Sequence, residues 1–363
     1  MESAISLSMR KLGETILLTT LVAVLSGSAD ARATDPNCVV AGVKATNSFE
    51  EIRKLANAKS QTRFEAAKQE FLQDREERLP KLGDSKHAPS LMDHGKETEY
   101  VVVLTHGLFD SPYAQKVLGE VFYRRGMNVL MPLLPRHWEK DIKSIERLTA
   151  EEMMAEQEKA IALAKRLGKK VIVVGHSTGG LLAARSALRD QTIAGVMLYA
   201  PALELSNRTY AATAVGRTLG LSLNTLQWST PDAKTTPYFS PQAGREVARL
   251  VQIVRDENTK VDPKTATAEE VYRSIGKQID KPVALVVSKN ESTTHNKTAR
   301  WVAGSTQGLK SHLKLEYLDH AGTGRIAPED MKSIHDNSPA SRDRKKILEH
   351  AEEFVSKNFP TAG

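Results

Sequence analysis

Gly175-His176-Ser177-Thr178-Gly179-Gly180 sets a serine between glycines, directly after the β-branched run Val171-Ile172-Val173-Val174 and directly before the helical residues Leu181 to Leu188. A strand that passes into a helix through so tight a turn holds the serine in a strained backbone conformation and pushes its hydroxyl into the open. The glycines keep Cβ atoms out of the crossing. The helix that follows turns its free N–H groups and its positive end toward negative charge developing on a bound substrate. The chemistry this suits is nucleophilic attack by Ser177 on an acyl carbon. Without the flanking strand and helix, the same six residues would be only a glycine-rich turn.

A serine hydroxyl is a poor nucleophile near neutral pH. It needs a histidine to take its proton and a carboxylate to orient and compensate that histidine. His320 follows the last expected strand, in Leu318-Asp319-His320-Ala321-Gly322, so it leaves the sheet at the same edge as Ser177 and is the expected general base. His335 is the neighbouring rival. For the acid, Glu291 follows the strand Val283 to Val287 and preserves the chain order serine, acid, histidine, while Glu204, after Val196 to Tyr199, competes with it. Asp319 is disfavoured because adjacent side chains in extended backbone point apart. The backbone N–H groups of Thr178 and of Leu108, in Thr105-His106-Gly107-Leu108, are the expected oxyanion-hole donors. His106 is read as a buried loop histidine that organises hydrogen bonds, and Gly107 as permitting close backbone approach.

The elements that must position these residues are legible in the hydrophobic pattern. Strands are expected at Tyr100–Leu104, Asn128–Met131, Val171–Val174, Val196–Tyr199, Val283–Val287 and Lys314–Leu318. Helices are expected at Ala114–Arg125, Ala150–Leu167, Gly180–Arg189, Lys297–Leu309 and Arg344–Val355. Strands alternating with helices imply a mostly parallel central sheet with helices on both faces. Thr149-x-x-Glu152 reads as a capping box, with Met153, Ala160, Ile161, Ala164 and Leu167 as an inward stripe and Gly168 as the helix end. The alternation breaks over about residues 204–280, where Leu219, Leu221, Leu223, Leu226, Trp228, Tyr238 and Phe239 lie among prolines and glycines. An inserted cap fits this stretch, with its apolar residues forming either an acyl-binding wall or the cap's own small core.

The amino terminus is of another kind. Arg10 and Lys11 precede the apolar run Ile16 to Leu25, and Ala29, Ala31 and Ala33 follow, the order of a secretory signal peptide over residues 1–33. The run is too short for a membrane span, and extending it backwards would bring in Glu14. The expected location is therefore periplasmic or secreted. Residues 34–90 read as a helical extension, with Phe49, Ile52, Leu55, Phe64, Ala67, Phe71 and Leu72 at helical spacings up to Arg78, and residues 91–358 as the catalytic domain. Cys38 is the single cysteine of the 363 residues, so stability rests on packing and not on an intramolecular disulfide. The net charge of +7 comes without a block of five basic residues or interleaved aromatics, which argues against nucleic acid as a partner. Loose contact with an anionic membrane surface is the partner that the basic balance suggests.

His106-Gly107-Leu108-Phe109-Asp110-Ser111-Pro112, Gly126-Met127-Asn128-Val129-Leu130-Met131-Pro132, the Ser177 motif, Ala200-Pro201-Ala202 and the late His320 together resemble the α/β-hydrolase superfamily, and within it the bacterial esterase, lipase and serine-aminopeptidase-like branch. The resemblance covers about Leu91 to Phe354. It implies an α/β-hydrolase fold with an inserted cap and a Ser177–Glu291–His320 triad, and it places Trp228 and Pro237-Tyr238-Phe239 in the cap. Glu291 departs from the aspartate usual in the family. The expected function is hydrolysis of small-molecule or lipid carboxylic esters through an acyl-enzyme, with no metal and no cofactor. An aminopeptidase or amidase would use the same triad, and a non-catalytic envelope-binding module would keep the fold while losing the chemistry.

Overall fold

Every strand expected from the sequence is present in the computed structural model, which describes residues 49–207, 240–262, 265–288, 296–306, 314–318, 325–333 and 338–360. In chain order the elements are α1 (Phe49–Arg78), β1 (Ser90–Met92), β2 (Thr98–Thr105), α2 (Lys116–Arg124), β3 (Asn128–Met131), α3 (Ala150–Leu167), β4 (Gly168–His176), α4 (Thr178–Arg189) and β5 (Ile193–Tyr199). After these come α5 (Pro241–Asn258), α6 (Ala268–Gly276), β6 (Val283–Ser288), α7 (Asn296–Ala303), β7 (Lys314–Leu318) and α8 (Pro339–Asn358). The signal segment lies outside the described residues.

The strands form a seven-stranded sheet in the order β1-β3-β2-β4-β5-β6-β7. All pairs are parallel except β1 with β3, where Leu91 lies opposite Leu130. The three-residue β1 was not foreseen, being too short to show a period. Alternate residues of each strand face opposite helical layers. Val101, Val103, Val171, Val173, Val196 and Leu198 join the core beneath α3, α4, α5 and α6. Val102, Leu104, Ile172, Val174, Met197 and Tyr199 join the core beneath α2 and α8. Burial on both faces is why Val171–Val174 is uninterruptedly apolar.

The chain divides after Thr62 into two units, and residues 49–62, the described part of the first, are helical. In the second unit, Phe64, Ala67 and Phe71 are buried in the core, and Arg78 pairs with Glu156 at 2.8 Å. Leu55 and Leu72, expected on the apolar stripe, are instead exposed. The capping box of α3 forms as expected, with Glu152 N donating to Thr149 Oγ1 at 3.2 Å and Thr149 N to Glu152 Oε2 at 3.1 Å. Gly168 does not end the helix in a left-handed turn. Its φ is −158°, and it begins β4, where a Cβ would stand 2.7 Å from Val101 Cβ. The glycine answers a close strand approach. The helix begun at Asn296 stops at Ala303, short of Leu309, because Gly304 and Ser305 form a turn.

Between β5 and β6, Val247, Leu250, Val251 and Val254 of α5 and Val271, Tyr272 and Ile275 of α6 join the same core as the sheet. Residues 208–239, which include the apolar cap positions from Leu219 to Phe239, lie outside the described residues. Among the described residues, no helix is long and apolar enough to cross a membrane.

Candidate active site

The strand order runs outward in opposite senses on either side of the β2–β4 pair, since β3 follows β2 on one flank and β5 follows β4 on the other. Loops leaving the carboxyl ends of β2 and β4 therefore diverge and open a crevice, the place where parallel sheets of this kind accept ligands. Ser177 and the segment from His106 to Asp110 both sit there.

Ser177 follows the last residue of β4 and precedes the first residue of α4, with φ 51° and ψ −114°. This conformation is ordinary for glycine and strained for any residue with a Cβ. It is over-determined by its neighbours. Ser177 N donates to Tyr199 O at 2.9 Å, and Ser177 O accepts from Leu181 N and Ala202 N, each at 3.0 Å. The flanking glycines are required by contact: a Cβ on Gly175 would stand 2.2 Å from Gly179 O, and one on Gly179 would stand 2.1 Å from Thr105 O. Ser177 makes no side-chain capping bond to α4, so its partly exposed hydroxyl is not spent on the helix. Thr178 is the first residue of α4, where N–H groups have no intrahelical acceptor.

The Gly107 loop closes against this elbow. A Cβ on Gly107 would stand 2.9 Å from His176 Nδ1, 3.2 Å from Asp110 Oδ2 and 3.2 Å from Ser177 Cβ, so only glycine lets this loop approach Ser177 so closely. Asp110 N donates to Gly107 O at 3.1 Å, a turn in which Phe109 adopts φ 66°. Leu108 is partly exposed at its tip.

His106 is the organising histidine expected from the sequence. Its Nε2 accepts from Leu134 N at 2.9 Å, which leaves Nδ1 to donate to Gly107 O at 2.8 Å. Burial, reinforced by the neighbouring His137, pushes its pKa down to about 3, so it stays neutral. Behind Gly107 lies a fully buried carboxylate to which the sequence reading gave no role. Asp110 Oδ1 is 2.9 Å from Arg325 Nε, and Oδ2 is 3.3 Å from His176 Nδ1. Burial opposes its ionisation, yet Arg325 and His176 together hold its pKa below the ordinary carboxylate value.

Of the two candidate acids, Glu204 is described. Its Oε2 accepts from Tyr272 Oη of α6 at 2.7 Å, and the same hydroxyl lies 2.7 Å from Leu203 O. Glu291, His320, His335 and Asp319 lie outside the described residues. The described chain runs to within three residues of Glu291 at Ser288 and two of His320 at Leu318, both at the carboxyl ends of parallel strands. Among the described residues, no cluster of His, Cys, Asp or Glu is arranged to hold a metal ion.

Comparison with known proteins identifies the fold. The sequence profile described as the alpha/beta hydrolase family matches residues 102–330. No curated protein sequence matches the chain. Among solved structures, one from work on LipS and LipT, two metagenome-derived lipolytic enzymes, superposes with a TM-score of 0.55 at 18% identity, covering 74% of this chain and 97% of that one. A soluble variant of monoglyceride lipase from Saccharomyces cerevisiae, bound to a substrate analogue, superposes with a TM-score of 0.52 at 16% identity, covering 76% and 92%.

Proposed function

The chain belongs to the alpha/beta hydrolase family, and on that premise we propose that it is a serine hydrolase that cleaves carboxylic esters through an acyl-enzyme. The observation that carries this reading is the backbone of Ser177, held at φ 51° between β4 and α4 with its hydroxyl free of any helix-capping bond. Strain of this kind persists where the fold needs a side chain presented outward.

In the proposed reaction Ser177 Oγ attacks the ester carbonyl carbon while His320 takes its proton, and Glu291 stabilises the resulting imidazolium. The Leu108 and Thr178 N–H groups bind the oxyanion. His320 then protonates the departing alcohol as the tetrahedral centre collapses to an acyl-serine. Water, deprotonated by the same histidine, attacks the acyl carbon, and Ser177 leaves with that proton as the carboxylic acid is released. Two features support His320 and Glu291. Arg325, five residues beyond His320, is anchored on Asp110 behind the Gly107 loop, and five residues of chain span at most about 18 Å. The Glu204 carboxylate is already engaged by Tyr272, which favours Glu291 as the acid.

LipS and LipT are lipolytic, and the yeast protein is a monoglyceride lipase, so esters of fatty acids are the first substrates to try. The apolar positions from Leu219 to Phe239 are read as a cap lining the acyl side, whereas those of α5 and α6 belong to the sheet core. Residues 1–33 are read as an export signal and the mature protein as acting outside the cytoplasm.

A fluorophosphonate probe tests the nucleophile. The wild type should take one label, and Ser177→Ala none. Glu291→Gln should lower kcat by about 10⁴-fold, the scale of a triad acid turned to its amide, whereas Glu204→Gln should stay within a few-fold of wild type. Labelling that survives in Ser177→Ala refutes the assignment. A panel of short-chain esters, long-chain acylglycerols and aminoacyl amides reads the substrate class.

A further inference from the structure

Asp110 is a charged group in a place that should not tolerate one. It is enclosed directly behind Gly107, where a Cβ would stand 3.2 Å from Ser177 Cβ, and a buried carboxylate that loses its cation either takes up a proton or draws in water. The cation comes from far along the chain. Arg325 Nε stands 2.9 Å from Asp110 Oδ1. The residues after Arg325 are fastened to the segment that follows the same turn: Val117 N donates to Ile326 O at 3.2 Å, and Tyr113 Oη donates to Glu329 Oε2 at 2.6 Å. Arg325 is therefore delivered by a docked segment.

The turn that Asp110 closes is itself under tension. Phe109 is a non-glycine residue at φ 66°, a conformation costing roughly 1–2 kcal/mol that survives only where the surroundings enforce it. One side of that enforcement is the Asp110 N to Gly107 O bond at 3.1 Å, and the other is the carboxylate gripped by Arg325 and faced by His176 Nδ1 at 3.3 Å. Between these two fixed points lies Leu108, whose N–H must aim at a developing oxyanion.

We propose that Arg325 is a positioning residue of the oxyanion site: by holding the buried Asp110 carboxylate it fixes the turn from Gly107 to Asp110 and keeps the Leu108 N–H directed at the carbonyl attacked by Ser177. This rests on the serine-hydrolase reading for its catalytic consequence. Its structural part stands independently of that reading.

The test uses the full mature chain with two readouts. Amide hydrogen exchange of peptides covering residues 105–113 reports the turn without reference to activity. Steady-state ester hydrolysis and the rate of fluorophosphonate labelling report the chemistry. Arg325→Met should speed exchange in the turn and lower kcat by about tenfold to a hundredfold, up to the scale of a lost oxyanion donor, with KM changed by less than about threefold. Arg325→Lys, which keeps a cation near Asp110, should recover most of both. Where Arg325→Met fails to fold, Asp110→Asn combined with Arg325→Met removes both charges of the pair and is read in its place, with the same losses expected. Unchanged exchange in the turn overturns the proposal whatever the reaction proves to be, and faster exchange with wild-type kcat and labelling overturns its catalytic part. A wild type that takes no label at Ser177 overturns the serine-hydrolase reading instead, while the exchange data still decide whether Arg325 holds the turn.

Discussion

Replacing Ser177 by glycine should make this protein more stable as it makes it inert. At φ 51° and ψ −114° Ser177 sits where a Cβ is crowded by the backbone, a penalty of about 1–3 kcal/mol for a residue other than glycine. Glycine removes that penalty but adds freedom to the unfolded chain, which costs about 0.5–1 kcal/mol. Little packing is lost, since the side chain is partly exposed and makes no capping bond. The net expectation is a gain of about 1 kcal/mol, or about 1.5–2 °C in Tm for a domain of this size. Ser177→Ala is the control, because alanine keeps the Cβ and hence the strain while also abolishing activity. Thermal melts and urea unfolding of the three proteins, with activity measured alongside, make the comparison. If Ser177→Gly is no more stable than Ser177→Ala, the elbow is not strained, and its conformation is not one held at a cost to present the hydroxyl.

Acidification should destabilise the fold well before the carboxylates titrate. Burial pushes the pKa of His106 to about 3 and that of His137 to about 4, whereas both take up protons near 6.5 in the unfolded chain. Above that value the two contribute no pH dependence, and between it and about pH 4 the unfolded state holds two more protons on them, a fall of about 3 kcal/mol per pH unit, to which His87, likewise pushed down to about 4 by burial, adds. Asp110, whose folded pKa is depressed, adds a loss only below its unfolded value near 3.8. Urea midpoints measured at pH 7, 6 and 5 should drop steadily, and a flat series would show that the two histidines are not buried neutral. Phe64→Ala should cost about 3–5 kcal/mol because the side chain is fully buried in the core shared with the sheet. A change below about 1 kcal/mol in chemical denaturation would mean that the later part of α1 is not integral to the domain.

The local devices of this protein were written in its residue order. The unbroken apolar run Val171–Val174 marked a strand buried on both faces, the Thr149–Glu152 pair marked a helix start, and the glycines around Ser177 marked a crossing too close for Cβ atoms. Such features depend on neighbours a few residues apart, where periodicity and backbone sterics act directly. The partnerships that surround Ser177 were not legible in this way. The pairing of Asp110 with Arg325 and that of Glu204 with Tyr272 of α6 come only from the fold. Gly168 ends α3 as expected, but what excludes a side chain there is Val101 on the adjacent strand. Each of these depends on segments scores of residues apart meeting at a few ångströms. That meeting is decided by how the two layers pack on the sheet, which no local pattern of side chains encodes.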